Sequence, residues 1–338
     1  MPRFATATVT DILAERAGLQ RVDTDAGRAY VLTDLIGPVA VGERVVLNTT
    51  AVDLGLGTGG WHVVHWNLAR DSWSQPGPGH IMKLRYTSLQ VDTGAAEEHR
   101  PDLPEALDGM PVVACSLHSQ VAVVAAVVRQ LQPATRIAYV MTDGAALPLA
   151  LSELAHQLRE RGIVDVTITA GHAFGGDLEA VSTPSALALA RHVAAADLAI
   201  VGMGPGAVGT ASSLGTTALE VAAIADAAAA LGGRVALCCR ASSADSRERH
   251  RGISHHVHTA LRLTCHRPEI PLPASLASGS GIDGAEIVDG PDAAAVLAGL
   301  GLAVTTMGRG PADDPDFFAA AASAGAWAAA ALAHPPPV

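Results

Sequence analysis

The sequence predicts an α/β protein with two parts: a small N-terminal β-barrel-like domain, then a doubly wound, mostly parallel sheet of about seven strands. Residues 1–93 hold short runs of β-forming residues between Gly and Pro turns, which is typical of a small barrel. From Met110 onward, short apolar runs alternate with longer helical ones, which is typical of a parallel sheet with helices on both faces. We therefore expect domains at 1–93 and 110–338, joined by a polar, proline-containing linker at 94–109.

The elements follow from the apolar runs and the turn residues between them. In the first domain we expect β structure at 31–32, 45–47, 61–68 and 81–91. The predicted strands of the second domain are Val112–Cys115, Ile137–Met141, Val166–Thr169, Leu198–Gly202, Val235–Cys239, Glu286–Val288 and Ala303–Thr306. Its predicted helices are Val121–Leu131, Leu147–Arg161, Ser185–Ala195, Thr217–Leu231, Val257–Leu263 and Asp292–Leu300.

Composition argues against several classes of function. The net charge is −11 and aromatic residues make up only 3% of the chain, so we expect neither nucleic acid nor an anionic membrane as partner. Lys83 is the only lysine, and the chain has no GxxxxGK[ST] motif, so P-loop chemistry is not expected. Schiff-base chemistry would have to use Lys83.

The sequence favours a cytoplasmic protein. The N-terminus lacks the apolar core of a signal peptide, and the four cysteines form no C-x-x-C pair. Residues 317–333 carry no charge, but they are mostly alanine. We therefore expect a terminal helix that packs on the protein rather than one that spans a membrane.

Residues 240–258, here called the Arg/His segment, are rich in side chains that can bind ligands or transfer protons. Charged residues make up 16% of the protein, yet this segment alone contains four arginines and four histidines. It begins where the predicted strand Val235–Cys239 ends. Arginine binds carboxylates and phosphates through its planar fork of donors, and histidine binds metals or transfers protons near neutral pH.

The segment fits a wider pattern, because polar groups follow five consecutive predicted strands. His118, Asp143 and His172 come after the first three strands, the glycine-rich loop 204–210 after the fourth, and the Arg/His segment after the fifth. In open α/β sheets, ligands bind outside the carboxyl ends of the strands. The pattern therefore predicts a functional crevice at that edge, although Asp143 equally suits a helix cap.

The loop after the fourth predicted strand contains G-x-G-x-x-G at Gly204, Gly206 and Gly209. Between a strand and a helix, this motif favours a dinucleotide or another anion at the helix N-terminus, and Arg240 would suit a 2′-phosphate. Its position on the fourth strand and the missing donor at Pro205 argue against NAD(P). A tight turn without a ligand is the third alternative.

Three interpretations of the Arg/His segment remain open. Arginines bind an anion while a histidine acts as acid or base; or His255, His256 and Asp245 bind a divalent metal; or the charges form a solvated loop or a subunit contact. In an extended segment, His256 and His258 would flank one face. A turn at Gly252 would then keep His250 away from both.

Five stretches of the chain resemble an uncharacterised bacterial family, the domain of unknown function three-eight-six-six. The resemblance covers most of the chain and implies that these stretches belong to one recurring site or scaffold, without implying an activity. They are VLNTTAVDLGLGTGG (46–60), VMTDGAALPLA (140–150), FGGDLEAV (174–181), GMGPGAVGT (202–210) and RASSADSRERHRGISHHVHTAL (240–261).

The leading hypothesis is an enzyme that acts on a small anionic substrate, either phosphorylated or nucleotide-like. The rival hypotheses are a non-catalytic binding or scaffold protein with the Arg/His segment at a homodimer interface, and an NAD(P)-dependent oxidoreductase. The catalytic candidates are His250, His255, His256, Asp245 and Asp143. The anion-binding candidates are Gly204, Gly206, Gly209, Thr210, Arg240, Arg247, Arg251, Ser254 and His118.

Overall fold

The computed structural model describes residues 1–57 and 59–334. Thr58, in the glycine-rich stretch 46–60, lies outside the described residues. The chain divides into two compact units, Met1–Gly94 and Ala95–Val338.

The first unit is built on a closed five-stranded barrel, which confirms the barrel predicted at the N-terminus. The strands follow one another around the barrel in the order β1-β2-β3-β5-β4, and a separate two-stranded ribbon, β6-β7, follows. The strands are β1 (Phe4–Arg16), β2 (Leu19–Thr24), β3 (Ala29–Leu32), β4 (Arg44–Asn48), β5 (His62–Asn67), β6 (Met82–Lys83) and β7 (Val91–Asp92). Two short helices, α1 (Thr33–Ile36) and α2 (Thr50–Asp53), lie between strands.

The barrel interior is filled by alternate residues of its strands. On β4, Val45 and Leu47 are fully buried, whereas Val46 and Asn48 between and after them are only half-buried. This alternation is required where successive side chains point to opposite sides of the sheet. The core residues are small and aliphatic, as the composition predicts: Ala7, Val9, Val22, Ala29, Val31, Ile36, Val39, Val45, Leu47 and Val64.

The second unit contains a six-stranded parallel sheet. Most of its strands are short and apolar, and buried side chains from most of them pack on both faces. The strands are β8 (Pro111–Cys115), β9 (Ile137–Thr142), β10 (Val166–Ala170), β11 (Leu178–Ala180), β12 (Leu198–Met203) and β13 (Arg234–Cys238). Their spatial order is β11-β10-β9-β12-β8-β13.

The predicted strand list is right for five strands of this sheet and wrong at its end. Residues 303–306 form no strand; only Thr306 makes an isolated bridge, to Arg309. Residues 285–287 form β17, which pairs with β16 (Ile270–Leu272) in a separate two-stranded sheet. The sixth strand is instead β11, which is too short and too polar to stand out as an apolar run.

Helices cover the two faces of the sheet with separate cores. One face packs α3, α4, α9 and α10, and the other packs α5, α6 and α7. The helices are α3 (His118–Leu131), α4 (Glu153–Glu160), α5 (Thr183–His192), α6 (Glu220–Ala230), α7 (His255–Leu263), α8 (Ala274–Ala277), α9 (Ala293–Gly299) and α10 (Pro315–Ala333). Two short strands inside the Arg/His segment, β14 (Ala241–Ser242) and β15 (Gly252–Ile253), complete the unit.

Helix α10 is long and apolar enough to span a membrane, but the protein uses it as a core helix. It has 19 residues, and 67% of its most apolar window is buried inside the protein. Its alanines allow a close approach to α3, where a Cβ added to Gly325 would lie 2.7 Å from the Cβ of Val127. The terminal stretch 317–333 therefore packs on the protein, as its composition predicts.

The contact between α10 and α3 gives a test of this packing. Replacing Gly325 by leucine is expected to lower the free energy of unfolding by about 1–3 kcal/mol, because the core has no room for the side chain. Leucine at Ala330, which is exposed on the same helix, is the control and should leave that free energy almost unchanged. Urea unfolding of both variants measures the difference, and equal stabilities would contradict the close packing.

Candidate functional site

The Arg/His segment folds into a small hairpin that leads into helix α7. Strand β14 pairs antiparallel with β15, and Gly252 turns the chain with a φ of +61°, a conformation that glycine adopts at little cost. The next residue but one, Ser254, caps α7, because its Oγ accepts a hydrogen bond from the His256 amide at 3.3 Å. Of the two conformations considered for this segment, extended or turned at Gly252, the structure has the turn.

The hairpin brings three histidines together, here called the histidine cluster: His250, His255 and His256. One ring nitrogen from each lies within 4.8 Å of the others, and the ring centroids are 4.2–5.0 Å apart. The expectation that the turn at Gly252 would separate His250 from the other two is thus wrong. The turn instead reverses the chain and brings His250 back to the other two. His258, two residues after His256, is exposed.

The histidine cluster is buried and contains unsatisfied polar atoms. His256 is only 6% exposed, and within residues 1–57 and 59–334 neither of its ring nitrogens has a hydrogen-bond partner. The same holds for Nε2 of His255. His250 differs, because its Nδ1 lies 2.8 Å from Ser254 Oγ.

The histidines of this cluster are held in their neutral form. Burial, and then the charges of Arg240 and Arg247, lower the pKa of His250 to about 3. Burial and neighbouring groups lower the pKa of His256 to about 4, and burial also lowers the pKa of His255. At neutral pH each of these imidazoles therefore has one unprotonated ring nitrogen. That nitrogen is better suited to coordinate a ligand such as a cation than to exchange protons.

Next to the cluster lies a network of arginines around two buried carboxylates, here called the arginine network. Asp245, only 2% exposed, accepts hydrogen bonds from Arg247 Nε at 2.9 Å and Nη2 at 2.8 Å, and from Arg240 Nη2 at 3.3 Å. Arg309 bridges to the second carboxylate, since its Nε donates to Asp314 at 3.0 Å and its Nη2 lies 3.8 Å from Asp245. The hydrogen bonds from Arg247 hold the pKa of Asp245 well below its usual range.

Asp245 therefore does not join the histidine cluster. Its carboxylate is occupied by guanidinium groups, and the histidine that completes the cluster is His250. The three guanidiniums of Arg240, Arg247 and Arg309 exceed the two carboxylates of the network by one positive charge. Arg251 adds a fourth guanidinium, whose Nε donates to the backbone carbonyl of Asp245 at 3.0 Å.

The loop after β12 does not lead directly into a helix. Between Gly209 and the first helical residue, Thr217, the chain makes a further turn in which Thr210 N donates to Gly215 O at 2.7 Å. The first helical residue, Thr217, is nevertheless bonded to this loop, because its amide donates to Val208 O at 2.9 Å, and an anion at the loop 204–210 stays a prediction. Gly204 is required for packing, since a Cβ would lie 2.7 Å from Ala146 O.

The other two glycines of the motif also serve the turn. Gly209 pairs with Thr216 in an antiparallel bridge, and Gly206 has a φ of +97° that favours glycine. A Cβ on Gly206 would meet nothing within 4 Å, so only its backbone conformation is restrictive.

His118, another predicted anion ligand, is held by the protein itself. Its Nδ1 lies 3.1 Å from the Tyr139 hydroxyl and 3.2 Å from Met203 O, and its Nε2 lies 2.7 Å from Ser152 Oγ. Burial lowers the pKa of His118 to about 4. With both ring nitrogens engaged, this histidine holds the start of α3 against neighbouring strands rather than offering a free donor.

A pair of acids, Asp143 and Glu220, lies at the point where the direction of chain connections reverses. Strand β9 leads to α4 on one face of the sheet and its neighbour β12 leads to α6 on the other, which is where ligands bind in such sheets. Asp143 follows β9 and accepts a hydrogen bond from the His172 amide at 2.9 Å. Glu220 begins α6 and accepts one from Thr142 Oγ1 at 2.8 Å.

Glu220 is the group that the sequence reasoning missed. Burial, and then the charge of Asp143, raise its pKa to about 7. A half-buried carboxyl group with a pKa raised toward neutrality is suited to general acid–base chemistry. The sequence placed Glu220 inside a predicted helix, where an acid in the first turn is common and carries no functional signal.

The acid pair and the Arg/His segment lie at the same edge of the sheet. The 3₁₀ turn Thr217–Leu219, directly before Glu220, packs against α7, which carries two of the clustered histidines. The same turn joins the loop after β12, because Thr217 N donates to Val208 O at 2.9 Å. Polar groups from the ends of several strands thus share one edge, as the sequence predicts.

Comparison with known proteins identifies the family. The model of a family described as a protein of unknown function, DUF3866, matches residues 28–325. The chain belongs to DUF3866. This confirms the resemblance noted in the sequence motifs, and the DUF3866 match includes both the barrel from β3 onward and the whole candidate site. Neither the curated proteins nor the solved structures contain a match.

Proposed function

We propose that this DUF3866 protein is an enzyme that acts on a small anionic substrate, phosphorylated or nucleotide-like, bound beside the Arg/His segment. The observation that carries the proposal is that the three guanidiniums paired with Asp245 and Asp314, those of Arg240, Arg247 and Arg309, outnumber these two carboxylates. A partly buried charge without a counter-charge is costly, and a bound anion removes that cost.

Arg247 is the residue best placed to meet the anion. Its side chain is 43% exposed while two of its nitrogens are fixed on Asp245, so the guanidinium is oriented and still accessible. Arg251 is exposed, and its guanidinium donates a hydrogen bond to the backbone carbonyl of Asp245. Arg240 is buried and acts by holding Asp245, rather than by touching substrate.

Glu220 supports an enzyme over a scaffold. A half-buried carboxyl group with a pKa raised to about 7 suits a proton-transfer step. In this proposal Glu220 donates or accepts the proton, and burial together with the negative charge of Asp143 raises its pKa. The four cysteines, all within the described residues, are free thiols, which supports the cytoplasm as the place of action.

The proposal is tested by calorimetric titration of the whole protein with inorganic phosphate, pyrophosphate and nucleoside mono- and diphosphates. We expect at least one of these anions to bind, and Arg247→Gln to weaken it about tenfold to a hundredfold, the usual value of a charged hydrogen bond. Arg262→Gln, which removes an exposed arginine of α7 outside the network, is the matched control and should bind normally. If no anion binds, or if both variants bind equally, the proposal is wrong.

A further inference from the structure

We propose that His250, His255 and His256 form a binding site for one divalent transition-metal ion, and that zinc is the ion it takes. The inference starts from geometry. Each of the three imidazoles has one ring nitrogen that lies within 4.8 Å of a ring nitrogen of the other two. In a tetrahedral zinc site with Zn–N bonds of about 2.0–2.1 Å, the ligand nitrogens are about 3.3 Å apart, so modest side-chain rotations bring the cluster to that spacing.

The unsatisfied nitrogens of the cluster point to a missing ligand. Among the described residues, Nε2 of His255 and both ring nitrogens of His256 are buried and lack a hydrogen-bond partner. Buried polar atoms are nearly always satisfied, and leaving one unpaired costs about 1–3 kcal/mol. Because no hydrogen bond engages those atoms, a metal bound to the cluster would satisfy one nitrogen of each ring.

The third histidine is already oriented in the way that metal ligands usually are. His250 Nδ1 lies 2.8 Å from Ser254 Oγ, which leaves Nε2 as the nitrogen available to a metal. Ligating histidines commonly bind a second group through the other ring nitrogen, and this fixes the ring and its tautomer. Ser254 also caps α7 and so connects the ring orientation to the start of the helix that carries His255 and His256.

The surrounding charge determines what else the metal binds. Arg240 and Arg247 oppose a bare cation, but three imidazole ligands leave one tetrahedral position open, and an anion in that position balances both the metal and the arginines. The metal site stands on the histidine geometry alone. Only the identity of the fourth ligand rests on the proposed function, in which the anionic substrate would reach the metal while Arg247 holds it.

The test uses the full chain without a histidine tag, stripped of metal by a chelator and then titrated with Co²⁺ and with Zn²⁺. We expect one ion per chain, and visible absorption bands of tetrahedral cobalt that zinc abolishes. His256→Ala should weaken binding at least about a hundredfold, and Ser254→Ala, which removes the outer partner of His250, about tenfold to a hundredfold. His258→Ala, exposed on the same helix, should bind like the wild type.

The outcomes separate this inference from the proposed function. If the wild type binds no cobalt or zinc, or if His256→Ala and His255→Ala both fold by circular dichroism and bind as tightly as the wild type, the metal site is wrong. An equal loss in His258→Ala would mean adventitious surface binding, which also overturns it. Metal binding without any effect of phosphate on the cobalt spectrum, and without anion binding, would contradict the anionic substrate and leave the metal site standing.

Discussion

Replacing Asp245 by alanine is expected to lower the free energy of unfolding by about 3–5 kcal/mol, the usual cost of removing one partner from a buried ion pair. The loss arises because Arg240 is only 6% exposed and would keep its charge without the carboxylate it now faces at 3.3 Å. Arg309 would still pair with Asp314, so the damage should stay local to the start of the Arg/His segment. Chemical unfolding at neutral pH measures the difference.

The control for this substitution is Glu248→Ala, because Glu248 is an exposed acid of the same segment. We expect its effect to stay within about 0.5 kcal/mol. The direction of the pKa shift adds a second check. The pKa of Asp245 is lowered in the folded protein, so its contribution is present above the unfolded pKa and is lost as pH falls toward the folded one. An Asp245→Ala protein as stable as Glu248→Ala would contradict the arginine network.

Replacing Glu220 by glutamine is expected to stabilise the protein at pH 8 by about 2 kcal/mol while leaving its stability at pH 4.5 almost unchanged. The folded protein raises the pKa of Glu220 to about 7 from an ordinary value of 4.5, so it holds the proton more tightly than the unfolded chain. Stability therefore falls as pH rises from 4.5 to 7, and glutamine removes that loss. Its amide oxygen can still accept the hydrogen bond from Thr142.

Urea unfolding of the wild type and of Glu220→Gln at pH 4.5 and pH 8 measures this effect, with Glu286→Gln as an exposed control. The same substitution should slow turnover of any substrate by about a hundredfold or more, since general acid–base catalysis contributes at least that much. A variant with the wild-type dependence of stability on pH would show that the folded protein does not raise the pKa of Glu220.

The sequence was sufficient for the parts of the fold that depend on local pattern. Continuous apolar runs such as Ile137–Met141 are typical of strands buried on both faces of a sheet. Five of the predicted runs are strands of the parallel sheet. The run Ala303–Thr306, Ala-Val-Thr-Thr, was also predicted as a strand, but it is half polar and did not become one. Strand β11 was missed because its pairing with β10 depends on tertiary position rather than on its own residues.

The internal pairing of the Arg/His segment could not be predicted from the sequence. The density of arginine and histidine in residues 240–258 marked the region correctly as a cluster of polar groups at the sheet edge. The contacts within the segment depend on the β14–β15 hairpin, which no sequence pattern predicted. This hairpin brings His250 to His255 and His256. The contact of Ser242 with Asp314 crosses 72 positions of the chain, so no local pattern could reveal it.

The most direct test of the central proposal is a crystal structure of the protein soaked with tungstate, a tetrahedral oxyanion that resembles phosphate and gives a strong anomalous signal. We predict an anomalous peak within hydrogen-bond distance of the Arg247 guanidinium, beside the histidine cluster, and no such peak in Arg247→Gln crystals treated in the same way. A peak confined to the loop 204–210, or the same peak in both crystals, would contradict an anionic substrate at the Arg/His segment.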